Sequence, residues 1–299
     1  MRTSLTKSYL SILIALSLFN AAYAQQPARQ ANTKLSENYI VNQQPDNSAG
    51  KPHVEVVDII GHKTNLVGQA ISASQGLIGE EEIAIRPLLR TGEILESIPG
   101  MVVTQHSGTG KANQYFLRGF NLDHGTDFAS FVDNMPVNMR THGHGQGYSD
   151  LNFVIPELIS NIEYKKGPYY AEIGDFSGAG SAKLTNKNSL DNGTVNITLG
   201  EKNYRRILLM DSITTNNNSW LYAIERNTSD GHWTNIKEDL DKTNAVIKHH
   251  RNLTDSEISI TFMAYDNSWN SADQIPGRAV ESALIDTFGS IDSTVGGQS

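Results

Sequence analysis

No cysteine occurs among the 299 residues. That absence excludes a disulfide scaffold, a thiolate nucleophile and every thiolate metal site, so a transition metal here must be held by His, carboxylate or Met. Positive charge is also scarce. Lys and Arg number 24 against 32 Asp and Glu, a net charge of −8, which argues against a nucleic-acid partner held by a basic face. No apolar run reaches the ~20 residues that a membrane-spanning helix needs. Missing too are G-x-S-x-G, H-E-x-x-H and a Walker loop. Asp123, His124 and Asp127 make the nearest imitation of a His–carboxylate pair and read better as a polar turn, so the chain is expected not to be an enzyme and to need no cofactor. What it holds instead is 25 Gly, 11 Tyr and many Asn, Ser and Thr, the composition of a β-rich, loop-rich protein.

The first residues read as an export signal. Arg2 and Lys7 precede the apolar run Tyr9 to Phe19, and Ala22-Tyr23-Ala24 supplies the small-x-small pattern cut before Gln25. Removing 1–24 leaves 22 basic against 32 acidic residues. Residues 25–52 are Gln, Asn, Pro, Ser and Ala with too little apolar surface to offset their ordering entropy, which predicts a flexible leader. A short β-branched run follows at 53–61. It suits either an ordinary first strand or a strand that another protein captures by edge addition.

Residues 62–187 read as a compact, glycine-punctuated α+β domain. Strands are expected at Ser74–Ile78, Met101–Thr104, Gln114–Gly119 and Phe128–Asp133, with a helix starting near Glu80. The segment Thr91–Gly100 places Ile94, Leu95 and Ile98 on one helical face before Pro99-Gly100 stops it. Leu158, Ile159, Ile162 and Tyr164 suggest a short helix running into a strand.

In 188–299 the pattern changes to a period of two. Val195, Ile197 and Leu199 alternate with Asn196 and Thr198, and Ile258, Ile260, Phe262 and Ala264 alternate with Ser259, Thr261, Met263 and Tyr265. Apolar residues facing lipid and polar ones facing a lumen give that signature, although a soluble β-sandwich alternates likewise. Trp220, Tyr222, Trp233, Tyr265 and Trp269 are candidates for interfacial aromatic girdles.

A series of motifs ties these segments together: Leu95-x-x-Ile98-Pro99-Gly100-Met101-Val102-Val103, Leu117-Arg118-Gly119-Phe120, Val132-Asp133-Asn134-Met135-Pro136-Val137, Ile162-Glu163-Tyr164-Lys165-Lys166-Gly167-Pro168 and Gly178-Ala179-Gly180. In this order they resemble the plug domain of TonB-dependent outer-membrane receptors. The resemblance implies an α+β plug followed by the first antiparallel strands of a transmembrane β-barrel in the outer membrane of a Gram-negative bacterium. It also implies gated import driven by the TonB complex of the inner membrane. Val54, Glu55, Val56, Val57, Asp58, Ile59 and Ile60 then resemble the TonB box, and Arg118, Glu157 and Glu163 resemble the charged residues that tie plug to barrel wall. A plugged barrel takes about 22 strands of ~9–11 residues each. The stretch after 187 holds only about four to six of these, so the chain is expected to be a fragment of a longer receptor.

The cargo implied is an iron–siderophore or other metal complex, for which Tyr115, Arg140 and Tyr148 offer aromatic and guanidinium contacts. A free Zn, Cu or Ni ion is the alternative. His142 and His144 at i, i+2 in a Gly-rich loop, with His106, His124, Met135 and Met139, supply nitrogen and thioether donors that suit such ions. A non-transporting signalling or adhesion protein is a further alternative, whereas a passive porin has no use for a folded domain ahead of its barrel.

Overall fold

The computed structural model describes residues 70–289 apart from 73, 89, 106–107, 143–145, 235 and 273. The predicted export signal, leader and capture strand lie outside the described residues.

The N-terminal domain is built on two sheets. β1 (Ala70–Ser72) and β2 (Gln75–Gly79) form a hairpin leading into helix α1 (Glu80–Ala84), whose first turn carries Glu80, Glu81 and Glu82 where the helix dipole favours them. A 3₁₀ helix spans Thr91–Ser97, and β3 (Met101–Thr104), β4 (Gln114–Leu117) and β5 (Phe120–Asn121) make a small antiparallel sheet. β6 (Phe128–Val132) turns into β7 (Met135–Pro136) through Asp133 and Asn134, both at positive φ (47° and 65°). Two successive left-handed residues are what a two-residue hairpin matching the strand twist requires. A 3₁₀ turn at Pro156–Leu158 feeds β8 (Ile159–Lys166), and β9 (Gly180–Asn186) closes the larger sheet in the order β1-β2-β8-β9-β6-β7, with β6 and β9 parallel.

The helical segment at 91–97 is tighter than an α-helix, yet its expected apolar face is buried: Ile94, Leu95 and Ile98 join Phe128, Ile162 and Leu184 in the domain core. Gly180, where β9 begins, lies at φ +151°, and a Cβ there would come within 2.4 Å of the Lys165 carbonyl oxygen. Gly180→Ala is expected to lower the domain's stability by roughly 1–3 kcal/mol. Faster hydrogen exchange in β8 and β9 of the full-length protein is the check, and unchanged exchange there would refute the steric argument.

The second layer is an open antiparallel sheet of five strands in sequence order: β10 (Thr194–Leu199), β11 (Arg205–Thr215), β12 (Asn218–Ser229), β13 (Leu240–Asn252) and β14 (Glu257–Ser268). Its two faces differ as the sequence period demands. Val195, Ile197, Ile207, Ile213, Trp220, Ile224, Ile247, Ile258, Ile260 and Phe262 stay exposed on the outer face. The inner face packs on the N-terminal domain, with Ile155 and Leu158 fitting against Leu208, Leu221, Ala223 and Val246. Helix α2 (Gly277–Glu281) follows β14. No helix among the described residues is long and apolar enough to cross a membrane, a statement that leaves strands untouched.

Of the aromatic residues expected at membrane interfaces, Trp220 is on the outer face against His249, and the outward Tyr222 hydroxyl donates to Asp211 at 3.2 Å. Two are placed otherwise. Tyr265 shares the inner face with Thr261 and Met263, and Trp269 lies on Gly110 of the N-terminal domain, while Trp233 packs near Phe288.

Candidate functional site

The seam between domain and sheet concentrates the buried charge. Pro156 at the start of the 3₁₀ turn presents Glu157 toward β11, where alternation points Arg206 inward. The two meet in a bidentate pair, Nη1 to Oε1 at 2.6 Å and Nη2 to Oε2 at 2.8 Å. Arg206 Nε also donates to Glu225 Oε1 at 2.5 Å, and Glu225, on β12, is only 1% exposed. The second Glu225 oxygen accepts from Asn244 Nδ2 at 2.8 Å and lies 3.4 Å from Lys242 Nζ. From β13 these two side chains reach back across the seam. Asn244 donates to the Asn152 carbonyl at 3.1 Å, and Lys242 lies 3.5 Å from the Thr91 hydroxyl. Glu157, Arg206, Glu225 and Lys242 therefore each meet an opposite charge, which is the condition for keeping charges out of water.

A second contact lies at the β6–β7 turn. The Asp133 carboxylate accepts from the Asn186 backbone N–H (2.9 Å) and side-chain amide (3.0 Å), and lies 3.3 Å from Lys248 Nζ of β13. Lys248 also donates to the Asn186 carbonyl at 3.0 Å. Asp133, Met135 and Phe153 face Thr261, Met263 and Tyr265 of β14 across a cavity of about 670 Å³.

Two carboxyl groups at the seam titrate with opposite sign. Burial pushes Glu157 up, but the Arg206 hydrogen bonds and charge outweigh it and hold the group below its ordinary value. Its contribution is therefore present above the ordinary carboxylate range and is lost as pH falls through the depressed value. Asp150 is raised, chiefly by burial, against the opposing hydrogen bonds of Asn152 and the charge of Lys242, so its contribution is lost as pH rises through that raised value. Acidifying the full-length protein below pH ~4 is expected to open the 155–159 segment, read by hydrogen exchange. Glu157→Gln should flatten that dependence, and an unchanged profile in the variant would assign it elsewhere.

The sequence-predicted residues do not come together at one place. Val54 to Ile60, His106 and His144 lie outside the described residues. Glu157 bridges domain and wall, both of its carboxylate oxygens accepting from Arg206. Arg118, at φ 54° in the β4–β5 turn, and Glu163, on β8 opposite Leu77 and Lys183, are exposed on the domain. Of the expected cargo contacts, Arg140 is exposed whereas Tyr115 is a core residue. Alternation along β4 turns Tyr115 and Leu117 inward, the Tyr115 hydroxyl donates to the Ser149 carbonyl at 3.2 Å, and burial drives its phenol pKa far up. Tyr148 is largely buried too. Its oxygen accepts from the Ala112 N–H at 3.0 Å, and one ring face carries the exposed His142, stacked at 3.8 Å and 6°.

Among the expected metal donors, His124 is built into the core, with Nδ1 2.9 Å from the Ala112 carbonyl and 3.1 Å from that of Asn113. A ring nitrogen so placed donates to a carbonyl, and the other, Nε2, lies 3.7 Å from the Asp123 carboxylate. Met135 and Met139 are about half exposed. Among the described residues no group of three or more His, Asp or Glu is arranged to hold a metal ion. The polar inner-face residues Arg206, Glu225, Lys242, Asn244 and Lys248 were missed by sequence reading, as was Lys166, buried with its Nζ on the Pro99 carbonyl at 3.0 Å. Burial first, then the Arg118 charge, lowers the Lys166 pKa.

Comparison with known proteins places this geometry. Residues 67–181 match the family model described as TonB-dependent Receptor Plug Domain. The ferrienterobactin receptor of Escherichia coli (strain K12) is 24% identical over 188 residues, which are 60% of this chain and 22% of that protein. Among solved structures, the pyoverdine outer membrane receptor FpvA from Pseudomonas aeruginosa PAO1 superposes with a TM-score of 0.52 at 18% identity, covering 66% of this chain and 28% of that one. The copper transporter OprC gives 0.50 at 14% identity, covering 68% and 32%. The chain thus spans about a fifth of the length of the curated relative and about a third of these structures.

Proposed function

We propose that this chain, whose residues 67–181 match the plug domain of TonB-dependent receptors, serves in outer-membrane import of a scarce metal complex, an iron–siderophore or a related chelate. The observation that carries the reading is the seam. A folded domain is held by buried ion pairs to the inner face of strands whose outer face is apolar. Lipid covers the outer face, and the plug closes the lumen until cargo binds. Cargo capture shifts the population toward a state in which Val54 to Ile60 is offered to the TonB protein as an added strand. Traction on that strand then rearranges the plug. The receptor reaches the outer membrane with residues 1–24 removed.

The named relatives are receptors for ferric enterobactin and for pyoverdine and a transporter of copper, which supports a metal-bearing cargo. His142 stacked on Tyr148, with Arg140 and Met139 exposed nearby, is the part of the plug proposed to touch it. The test is uptake by cells bearing the full-length receptor, with a radioiron tricatecholate chelate and free copper ion as parallel probes. Energy-dependent accumulation of the chelate, abolished on deleting 54–60, is the expected result. Accumulation of copper alone would move the cargo to the free-ion class, and binding without uptake of either would favour a signalling or adhesion role.

A further inference from the structure

The five-stranded wall has two unlike ends. At one, β11 joins β12 through Asn216 and Asn217, and β13 joins β14 through residues 253–256. At the other, the connection from β12 to β13 takes residues 230–239, and the chain beyond β14 runs through α2 to Gly289. Outer-membrane barrels keep short turns on the periplasmic side and long loops outside, so the second end is the outer one on the reading above.

The outer connections hold one another. Asn203 in the β10–β11 turn donates to Asp230 at 2.7 Å, and Lys237 pairs with the same carboxylate at 2.9 Å. The Asn270 N–H donates to the Glu238 carbonyl (2.6 Å), the Thr234 N–H donates to that of Phe288 (2.9 Å), and the Phe288 ring lies 6.3 Å from both His232 and Trp233. Into this unit fits the tip of the plug's β3–β4 connection, residues 108–111. The Thr109 hydroxyl donates to the Glu238 carboxylate, which is 2% exposed. The Gly110 carbonyl accepts from Asn267 at 3.2 Å and from the plug's own Asn152 at 3.1 Å. Trp269 lies so close over Gly110 that a Cβ would stand 2.2 Å from the indole, and the same ring is within 3.4 Å of the Cβ position of Gly108, at φ +99°. Only glycine admits that contact.

We propose that residues 200–204, 230–234, 236–239, 269–272 and 274–289 form a strap that grips the plug at 108–111 through Glu238 and Trp269. Movement of the outer loops is thereby communicated to the β3–β4 hairpin. Release of the tip frees β3, which adjoins the 91–97 helix, and with it the Thr91 contact to Lys242. The proposal rests on the receptor reading.

The test uses the full-length receptor on intact cells, with single cysteines read by a membrane-impermeant maleimide. Lys111→Cys reports the tip, and Glu201→Cys reports the outer turn. With Glu201→Cys labelling rapidly, Lys111→Cys should label slowly and become about tenfold faster in combination with Trp269→Ala, Glu238→Gln or Gly110→Ala. Trp269→Phe should restore most of the protection. Equal labelling of Lys111→Cys in all backgrounds would overturn the strap while leaving the receptor reading intact. Failure of Glu201→Cys to label at all would overturn the outer placement, and the strap with it. Rapid Glu201→Cys labelling in each variant shows that the wall has assembled, so a misfolded variant is recognised.

Discussion

Arg206→Met in the full-length receptor is expected to loosen the plug from the wall by about 3–5 kcal/mol, the usual cost of removing one member of a buried ion pair. The size follows from what is left behind. Glu157 loses both of its bidentate hydrogen bonds, and Glu225 loses one of its two cationic partners while remaining sealed from solvent. Hydrogen exchange at 155–159 should accelerate by more than about a hundredfold, since each 1.4 kcal/mol is a factor of ten. Adding Glu157→Gln to Arg206→Met should recover part of the loss, because an uncharged amide needs no counter-ion while Glu225 keeps Lys242. A double variant as unstable as the single one would show that Arg206 does not act through its charge on Glu157.

Ile224→Arg should cost about 2–4 kcal/mol in a bilayer, where the same exposed substitution in water falls within about ±0.5 kcal/mol. Ile224 lies midway along β12 on the outer face, opposite Leu209 and Ala245. The outward charges Arg226 and Asp241, which pair at 2.6 Å, lie toward the outer end of the strands. Urea titration of the full-length receptor folded into lipid vesicles gives the number. Indifference to Ile224→Arg would mean that the outer face meets water, as in a soluble sandwich.

Much of the fold was legible because its signals are local. The β14 alternation places Ile258, Ile260 and Phe262 outward and Thr261 and Met263 inward as read. The site was less legible, because a polar residue at an inward strand position looks the same whether it faces a lumen or a partner. Arg206 meets Glu157 across 49 residues of sequence, and Lys242 meets Thr91 across 151. No periodicity spans such distances. Tyr115 was misplaced for a related reason. A tyrosine beside a Gly-rich stretch reads as an accessible ring, whereas strand parity had already turned it into the core. Trp269 likewise has the aromatic character of a girdle residue, and only the glycine beneath it, 159 positions earlier, shows where it belongs.

The polarity of the seam bears on how cheaply it can part. Two apolar surfaces drawn asunder lose about 25 cal/mol for every Å² wetted, with nothing returned by the water that enters. Neutral hydrogen-bonded groups such as Asn152 and Asn244 exchange one partner for another, and the net cost of each exchange is only about 0.5–1.5 kcal/mol. Inflowing water is thus a substitute ligand for the wall, and a channel opened along this face is hydrated from the moment it forms.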